Sequence, residues 1–254
     1  MDLFDLSGKV AVVTGGNGGI GLAMATGMAE AGAAILVAGR NREKSVAAVE
    51  TLSRLGVDAD QYAVDVTDEA ACQGLMQHAA DRFGRLDILV NNAGIGLRKR
   101  PEDYALSEWT RILETNLTSA FMCSQAAYPH MRAAGGGKII NIGSMFSLFG
   151  APLSLPYAAS KGGIVQLTKS LAAAWAKENI QVNAVLPGWI DTALTQQARR
   201  DWPDLNDRVL TRTPAGRWGE PEDHKGVAVF LASAGSQFVT GASIPVDGGF
   251  AISG

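Results

Sequence analysis

Tyr157 and Lys161 stand four residues apart in the run Tyr157-Ala158-Ala159-Ser160-Lys161, and Ser144 precedes the pair by thirteen positions. In a helix, residues at that interval share a face, so a phenol and an ammonium can meet at one site and bias each other's protonation. A serine hydroxyl at the end of a preceding strand can then hold a substrate oxygen beside the phenol. Far upstream lies a glycine-rich turn, Thr14-Gly15-Gly16-Asn17-Gly18-Gly19-Ile20-Gly21. The combination points to hydride transfer to or from a carbonyl carbon, with the tyrosine as acid or base.

The elements that must position these residues alternate along the chain. Short β-branched runs at Lys9–Val13, Ala34–Val37, Asp60–Val64, Leu86–Val90, Gly137–Ile142, Ile180–Val185 and Ala242–Val246 read as strands, and residues 20–31 and 41–55 as helices. Because most of these runs are nearly continuously apolar, they suit strands covered by helices on both faces, an α/β doubly wound parallel sheet. Residues 188–218 lack a confident strand or a helix of strong period, which marks them as a candidate substrate lid.

Bulk properties narrow the class. At 254 residues, 47% hydrophobic and 19% charged, the chain can bury a full core and fits one domain, 1–254. A net charge of -3 without a long basic run offers no footprint for nucleic acid. The N-terminus lacks a basic region followed by an apolar signal core, and no stretch approaches a membrane span, so a soluble cytoplasmic protein without a membrane partner is expected. Cys72 and Cys123 have no ligand spacing and read as reduced packing residues. His78, His130 and His224 are scattered, so no metal site is expected.

Strand before and helix after give the glycine turn its meaning. Missing β-carbons permit a tight turn and close approach to a pyrophosphate, whose charge the following helix N-terminus attracts. The glycines fall at 15, 19 and 21, not in the commoner G-x-G-x-x-G spacing.

Together with Asn91-Asn92-Ala93-Gly94, Asn116 and Pro187-Gly188, these motifs resemble the short-chain dehydrogenase/reductase family in order and spacing over essentially the whole chain. The resemblance implies a nicotinamide-dependent oxidoreductase on a Rossmann fold with a seven-stranded parallel sheet, assembled as a homotetramer. It also implies a catalytic set. Tyr157 would be the general acid/base, Lys161 would lower its pKa and hold the nicotinamide ribose, Ser144 would orient the reacting oxygen, and Asn116 would hold a water linking Lys161 to solvent. The retuning is needed because a tyrosine of pKa about 10 is only about 0.1% ionised at neutral pH. A fall of about three units corresponds to roughly 4 kcal/mol, which a nearby ammonium and an oxidised nicotinamide can supply. Each residue taken alone also fits a bland packing or solvated role; the joint match favours catalysis.

Further cofactor contacts follow from the same resemblance. Gly15, Asn17, Gly19, Ile20 and Gly21 would form the phosphate turn, Asp65 and Val66 the adenine contact, and Asn92, Ala93 and Gly94 the adenosine-side wall. Pro187, Gly188, Ile190 and Thr192 would hold the nicotinamide amide and a phosphate. At the end of the second strand Val37-Ala38-Gly39-Arg40-Asn41 carries no carboxylate to bond the ribose hydroxyls of NAD. Gly39 leaves room for an extra phosphate and Arg40 can pair with it, which favours NADP over NAD.

For the substrate, the basic triplet Arg98-Lys99-Arg100 follows the Asn-Asn-Ala-Gly turn. This segment and Arg212–Gly219 look most like the gluconate and 2-deoxygluconate dehydrogenase branch, in which Arg98 falls where an arginine lies near an anionic substrate. Met145 and Trp189 flank the serine and the Pro-Gly turn as candidate pocket residues, beside Ser144 and Tyr157. The expected reaction interconverts a secondary alcohol and a ketone on a small sugar acid. The alternatives are a 3-oxoacyl thioester reductase, an aldose 1-dehydrogenase, and, outside catalysis, a dinucleotide-binding sensor.

Overall fold

The computed structural model describes residues 3–253. Seven parallel strands form one sheet in the order β3-β2-β1-β4-β5-β6-β7. They are β1 (Val10–Thr14), β2 (Ala34–Gly39), β3 (Ala59–Ala63), β4 (Ile88–Asn91), β5 (Gly137–Ile142), β6 (Ile180–Pro187) and β7 (Ser243–Val246). Between them run α1 (Gly19–Glu30), α2 (Arg42–Ser53), α3 (Glu69–Phe83), α4 (Leu106–Leu113), α5 (Ser119–Ala133), α6 (Leu155–Trp175), α7 (Ala193–Asp201), α8 (Leu205–Arg212) and α9 (Lys225–Ala232). The strand order reverses between β1 and β4, whose ends meet in register at Thr14 and Asn91. That reversal opens a crevice at the carboxyl ends of the strands, the place where open α/β sheets take ligands.

Two hydrophobic layers hold the sheet. Adjacent residues of β1 face opposite ways: Val13 joins Met24, Met28, Ile35 and Leu231, while Val12 joins Leu36, Leu75, Leu89 and Met131. All are at most 1% exposed, so each contributes on the order of 1.5–3 kcal/mol. This double burial explains why the central strands read as nearly unbroken apolar runs, whereas the edge strand β3 does not. Helix ends are set locally. Asn41 and Asp68 accept from Lys44 N at 2.9 Å and Ala71 N at 3.1 Å to cap α2 and α3, and Gly84 ends α3 in the left-handed region.

One expectation needs correction. Residues 188–218 are not devoid of strong helices, for α7 and α8 occupy most of that span. Both are short and polar. α7 buries no residue and α8 buries only Leu205 and Val209, so composition hid their period. Cys72 on α3 and Cys123 on α5 are buried free thiols, with Sγ atoms 3.5 Å apart. Among the described residues no helix is long and apolar enough to cross a membrane, and no group of three His, Cys, Asp or Glu is placed to hold a metal ion.

Candidate active site

The catalytic candidates arrive from three elements. β5 ends at Ile142, and Gly143 donates its N–H to Val185 O at 2.8 Å, which aims the extended Ser144 into the crevice. α6 begins just after Ser154, with Pro156 in its first turn, and presents Tyr157 and Lys161 on one face. Ser147 ties the two elements: its hydroxyl donates to Lys161 O at 2.7 Å and accepts from Ser144 N at 3.1 Å. Lys161, only 4% exposed, places its Nζ 2.7 Å from Ile142 O and 5.6 Å from the centre of the Tyr157 ring.

Asn116 comes from a π-helical turn, Glu114–Thr118, between α4 and α5. Its side chain exchanges both polar atoms with one residue, accepting from Ile95 N at 2.8 Å and donating to Ile95 O at 2.9 Å, and also donates to Ser160 Oγ at 3.2 Å. This fixes Gly94 between Asn116 and Lys161. A β-carbon on Gly94 would stand 3.4 Å from Asn116 Oδ1 and 3.7 Å from Lys161 Nζ, so glycine keeps open the space between them.

The electrostatics correct one expectation. Burial holds the Tyr157 phenol above its ordinary pKa, and the Ser144 hydroxyl opposes that shift by hydrogen bonding. Burial also lowers Lys161 to about 8. In the protein alone burial therefore outweighs whatever the ammonium contributes to lowering the phenol. Its ammonium is turned to a backbone carbonyl and is itself penalised by desolvation.

A cavity of about 310 Å³ opens on Ser144 and Tyr157, and Met145, Trp189 and Arg98 line it as well. All five substrate candidates thus share one space. Phe146 wedges between the aromatic walls, edge-on to Tyr157 at 6.2 Å and to Trp189 at 6.1 Å. Among the described residues only Arg98 of the basic triplet has no carboxylate within ion-pair distance: Lys99 pairs with Glu108 at 2.6 Å and Arg100 with Glu102 at 2.5 Å. Burial lowers the Arg98 pKa, and the charge of Asp201 opposes it. Tyr104 secures the loop, its hydroxyl donating to Leu97 O at 2.7 Å. Arg199 is structural, paired with Asp191 and stacked 4.3 Å over Trp218.

The glycine turn fits a dinucleotide by what it leaves out. Gly15 and Gly19 adopt φ of 63° and 51°, where other residues are strained. A β-carbon on Gly21 would come within 2.5 Å of Gly15 O and collide with the Asn92 amide. Gly18 caps α1 without a side-chain bond, leaving the N–H groups of the first turn directed outward. Ile20 packs on the core beneath the turn. Thr14, which opens the motif but has no expected role in it, organises the far wall: its Oγ1 accepts from Asn92 N at 3.0 Å and Ala93 N at 3.1 Å. Asn92 Nδ2 in turn donates to Thr14 O and Gly15 O.

The remaining cofactor candidates ring the same crevice. Thr192 Cγ2 would lie 3.3 Å from a β-carbon on Gly19, which brings the segment after β6 over the glycine turn. Pro187 ends β6, Gly188 donates to Val246 O at 2.9 Å, and Ile190 is buried in a bridge to Gly219. Asp65 and Arg40 lie at the β3 and β2 ends. Thr67 N–H and hydroxyl bonds lower the Asp65 pKa, and the Arg40 charge adds to the effect. Val66 is buried beside Asp65, its carbonyl accepting from the Cys72 thiol. Arg40 and Asp65 are exposed, outside the cavity that holds Tyr157.

Known proteins resemble this chain over nearly its whole length. A family model described as "Enoyl-(Acyl carrier protein) reductase" matches residues 15–251. The chain is 41% identical to a gluconate 5-dehydrogenase of Gluconobacter oxydans (strain 621H) over 253 residues, 99% of this chain and 98% of the relative. It is 43% identical to a 2-dehydro-3-deoxy-D-gluconate 5-dehydrogenase of Escherichia coli (strain K12) over 251 residues, 98% of each chain. Among solved structures, a gluconate 5-dehydrogenase from Burkholderia cenocepacia J2315 in complex with NADP and tartrate superimposes with a TM-score of 0.95 at 42% identity, covering 100% of this chain and 99% of that one.

Proposed function

From a chain that belongs to the short-chain dehydrogenase/reductase family, and is an oxidoreductase acting on CH–OH groups with a nicotinamide dinucleotide, we propose oxidation of a secondary alcohol of a sugar acid such as gluconate or 2-deoxygluconate, with NADP as the preferred cofactor. The observation that carries this reading is the single cavity holding the Ser144 hydroxyl, the Tyr157 phenol and the guanidinium of Arg98, which among the described residues has no carboxylate within ion-pair distance.

The dinucleotide would lie along Gly15, Asn17, Gly19, Ile20 and Gly21, with Asn92–Gly94, Asp65, Val66 and Arg40 at its adenosine end and Pro187, Gly188, Ile190 and Thr192 at the other. When bound, the nicotinamide supplies the hydride acceptor and, in its oxidised form, a positive charge close to Tyr157. Ser144 holds the substrate hydroxyl and Tyr157 takes its proton as the carbonyl forms; in reduction the phenol returns it. Lys161 stabilises the phenolate and holds the ribose. The gap that Gly94 leaves open gives room for a water between Lys161 and Asn116 through which the proton reaches solvent. Met145, Phe146 and Trp189 keep bulk water from the reacting carbon, and α7 and α8 form the lid over them. Arg98 draws the carboxylate. The reading includes a homotetramer in the cytoplasm, as the family likeness implies.

The test is formation of reduced cofactor and of the matching keto acid with gluconate, 2-deoxygluconate, neutral hexoses, polyols and a 3-oxoacyl thioester, each with NADP and NAD. Turnover confined to sugar acids supports the reading. Turnover of the thioester or of neutral hexoses alone removes it.

A further inference from the structure

Three guanidinium groups converge on a second chamber that adjoins the catalytic cavity, and among the described residues none has a carboxylate within ion-pair distance. This chamber, also about 310 Å³, shares Arg98, Phe146, Ser154 and Trp189 with the cavity that holds Tyr157. Much of its remaining wall comes from α8, whose Leu205, Arg208, Val209 and Arg212 recur at one-face helical spacing and all line it. Arg98 and Arg208 stack on the Trp202 ring with Cζ 4.8 Å and 4.6 Å from its centre. Arg212 lies 4.2 Å from the centre of the Phe250 ring and 4.9 Å from that of Phe149.

Stacking on aromatic faces orients a guanidinium but leaves its in-plane N–H donors unspent. Arg212 Nε is buried and has no hydrogen-bond partner. Among the described residues no carboxylate oxygen lies within ion-pair distance of these three arginines, whereas Lys99, Arg100, Arg199 and Arg217 are all paired. Among the described residues no Asp or Glu lines the second chamber. Asp201 offsets part of the Arg98 charge from the side of the catalytic cavity, but the gathered like charges still repel one another, and a buried donor without an acceptor is costly; an anion relieves both.

We propose that the second chamber receives the carboxylate of the substrate, with Arg212 as its main ligand, Arg208 at the mouth and Arg98 at the junction with the catalytic cavity. The inference rests on the sugar-acid reading and deepens it. Because the carboxylate sits in a different chamber from Ser144 and Tyr157, the favoured substrates are extended polyhydroxy acids whose reacting carbinol is remote from the acid group.

The experiment measures calorimetric binding of D-gluconate and its neutral analogue D-gluconamide to the full chain saturated with NADPH, a combination that cannot react. The parent is compared with Arg212→Gln, Arg212→Lys and Arg208→Gln, and the KM for gluconate with NADP is recorded in parallel. Arg212→Gln should weaken gluconate about tenfold or more, Arg208→Gln several-fold, and Arg212→Lys less than Arg212→Gln, while gluconamide changes less than about twofold. Equal effects on acid and amide, or an unchanged gluconate affinity in Arg212→Gln, overturn the proposal. The two readings fail separately. Arg212-dependent gluconate binding without cofactor reduction by any sugar acid sinks the proposed reaction and keeps the chamber. Turnover of gluconate with a KM indifferent to Arg212 keeps the reaction and sinks the chamber. Absence of binding of both gluconate and 2-deoxygluconate to the parent overturns both.

Discussion

Asn17 fills the space that a side chain on Gly39 would need, its Nδ2 lying 2.7 Å from the position of a β-carbon there. The same Nδ2 donates to Ser45 Oγ at 3.0 Å and to Asn41 O at 3.4 Å, so the turn after β1 is laced to the corner after β2. The corner that would distinguish NAD from NADP is therefore built around a missing side chain, with the exposed Arg40 next to it.

Gly39→Asp should displace the Asn17 amide and put a carboxylate where the 2′-phosphate of NADP would stand. The expected result is a swing of the NADP/NAD preference toward NAD by roughly 10- to 100-fold, the range of a charged hydrogen bond gained or lost. Arg40→Ala should weaken NADP about tenfold and leave NAD nearly unchanged. Fluorescence titration of NADPH and NADH measures both. An unchanged ratio in both variants would remove Arg40 and Gly39 from cofactor choice.

Gly21 and Gly18 make an internal comparison. An alanine at 21 would collide with Gly15 O and the Asn92 amide, whereas one at 18 meets nothing within 4 Å. Gly21→Ala should cost about 1–3 kcal/mol of stability by overpacking and abolish tight dinucleotide binding; Gly18→Ala should do neither. Thermal melts with and without NADP check this, and equal behaviour of the two variants would count against the fit of the turn.

The lysine at the catalytic site should make the cofactor-free protein more stable as pH rises. Burial lowers Lys161 to about 8, so below that pH both folded and unfolded states carry the proton and the folded state bears the full cost, on the order of 3 kcal/mol. The cost fades as pH climbs from about 8 toward the ordinary lysine value. Tyr157 is shifted upward and acts in the opposite sense, only above its own ordinary value near 10. Lys161→Met should therefore be more stable than the parent at pH 7, with the gap closing by about pH 10. A gap that stays constant with pH would mean that Lys161 is not desolvated in solution.

Tyr157→Phe removes only the hydroxyl. Turnover should fall about 10²–10⁴-fold, as for loss of a general acid/base, while dinucleotide affinity stays within about twofold. Ser144→Ala should lower turnover less if the phenol alone can still hold the substrate oxygen. Full turnover in Tyr157→Phe would move the chemistry elsewhere.

The centre of the sheet was legible because β2, β1, β4, β5 and β6 are buried on both faces. Gly137–Ile142 is β5 residue for residue, and the runs at Lys9 and Leu86 become β1 and β4 with boundaries moved by one or two residues. Tyr157, Lys161 and Ser144 were legible because helix spacing and a strand end suffice to bring them together. α8 was not, since its inward stripe alternates Leu205 and Val209 with Arg208 and Arg212, and a cationic stripe reads as a solvated face until an aromatic chamber is seen opposite it. The meeting of Arg98 with Arg208 joins parts of the chain more than a hundred residues apart, a closeness that only the fold supplies. The sign of the Tyr157 shift was equally hidden. Helix spacing places an ammonium near a phenol but says nothing of the Ile142 carbonyl that holds it.

The most direct test follows the hydride itself. Gluconate or 2-deoxygluconate deuterated at its secondary carbons is incubated with NADP and the enzyme, and the reduced cofactor and keto acid are examined by nuclear magnetic resonance. One deuterium on the nicotinamide is expected for each keto acid formed, with about 10²–10⁴-fold less of both products in the same time when Tyr157→Phe replaces the parent. Reduced cofactor without deuterium, or oxidation at a carbon other than a secondary carbinol, would contradict the proposed reaction.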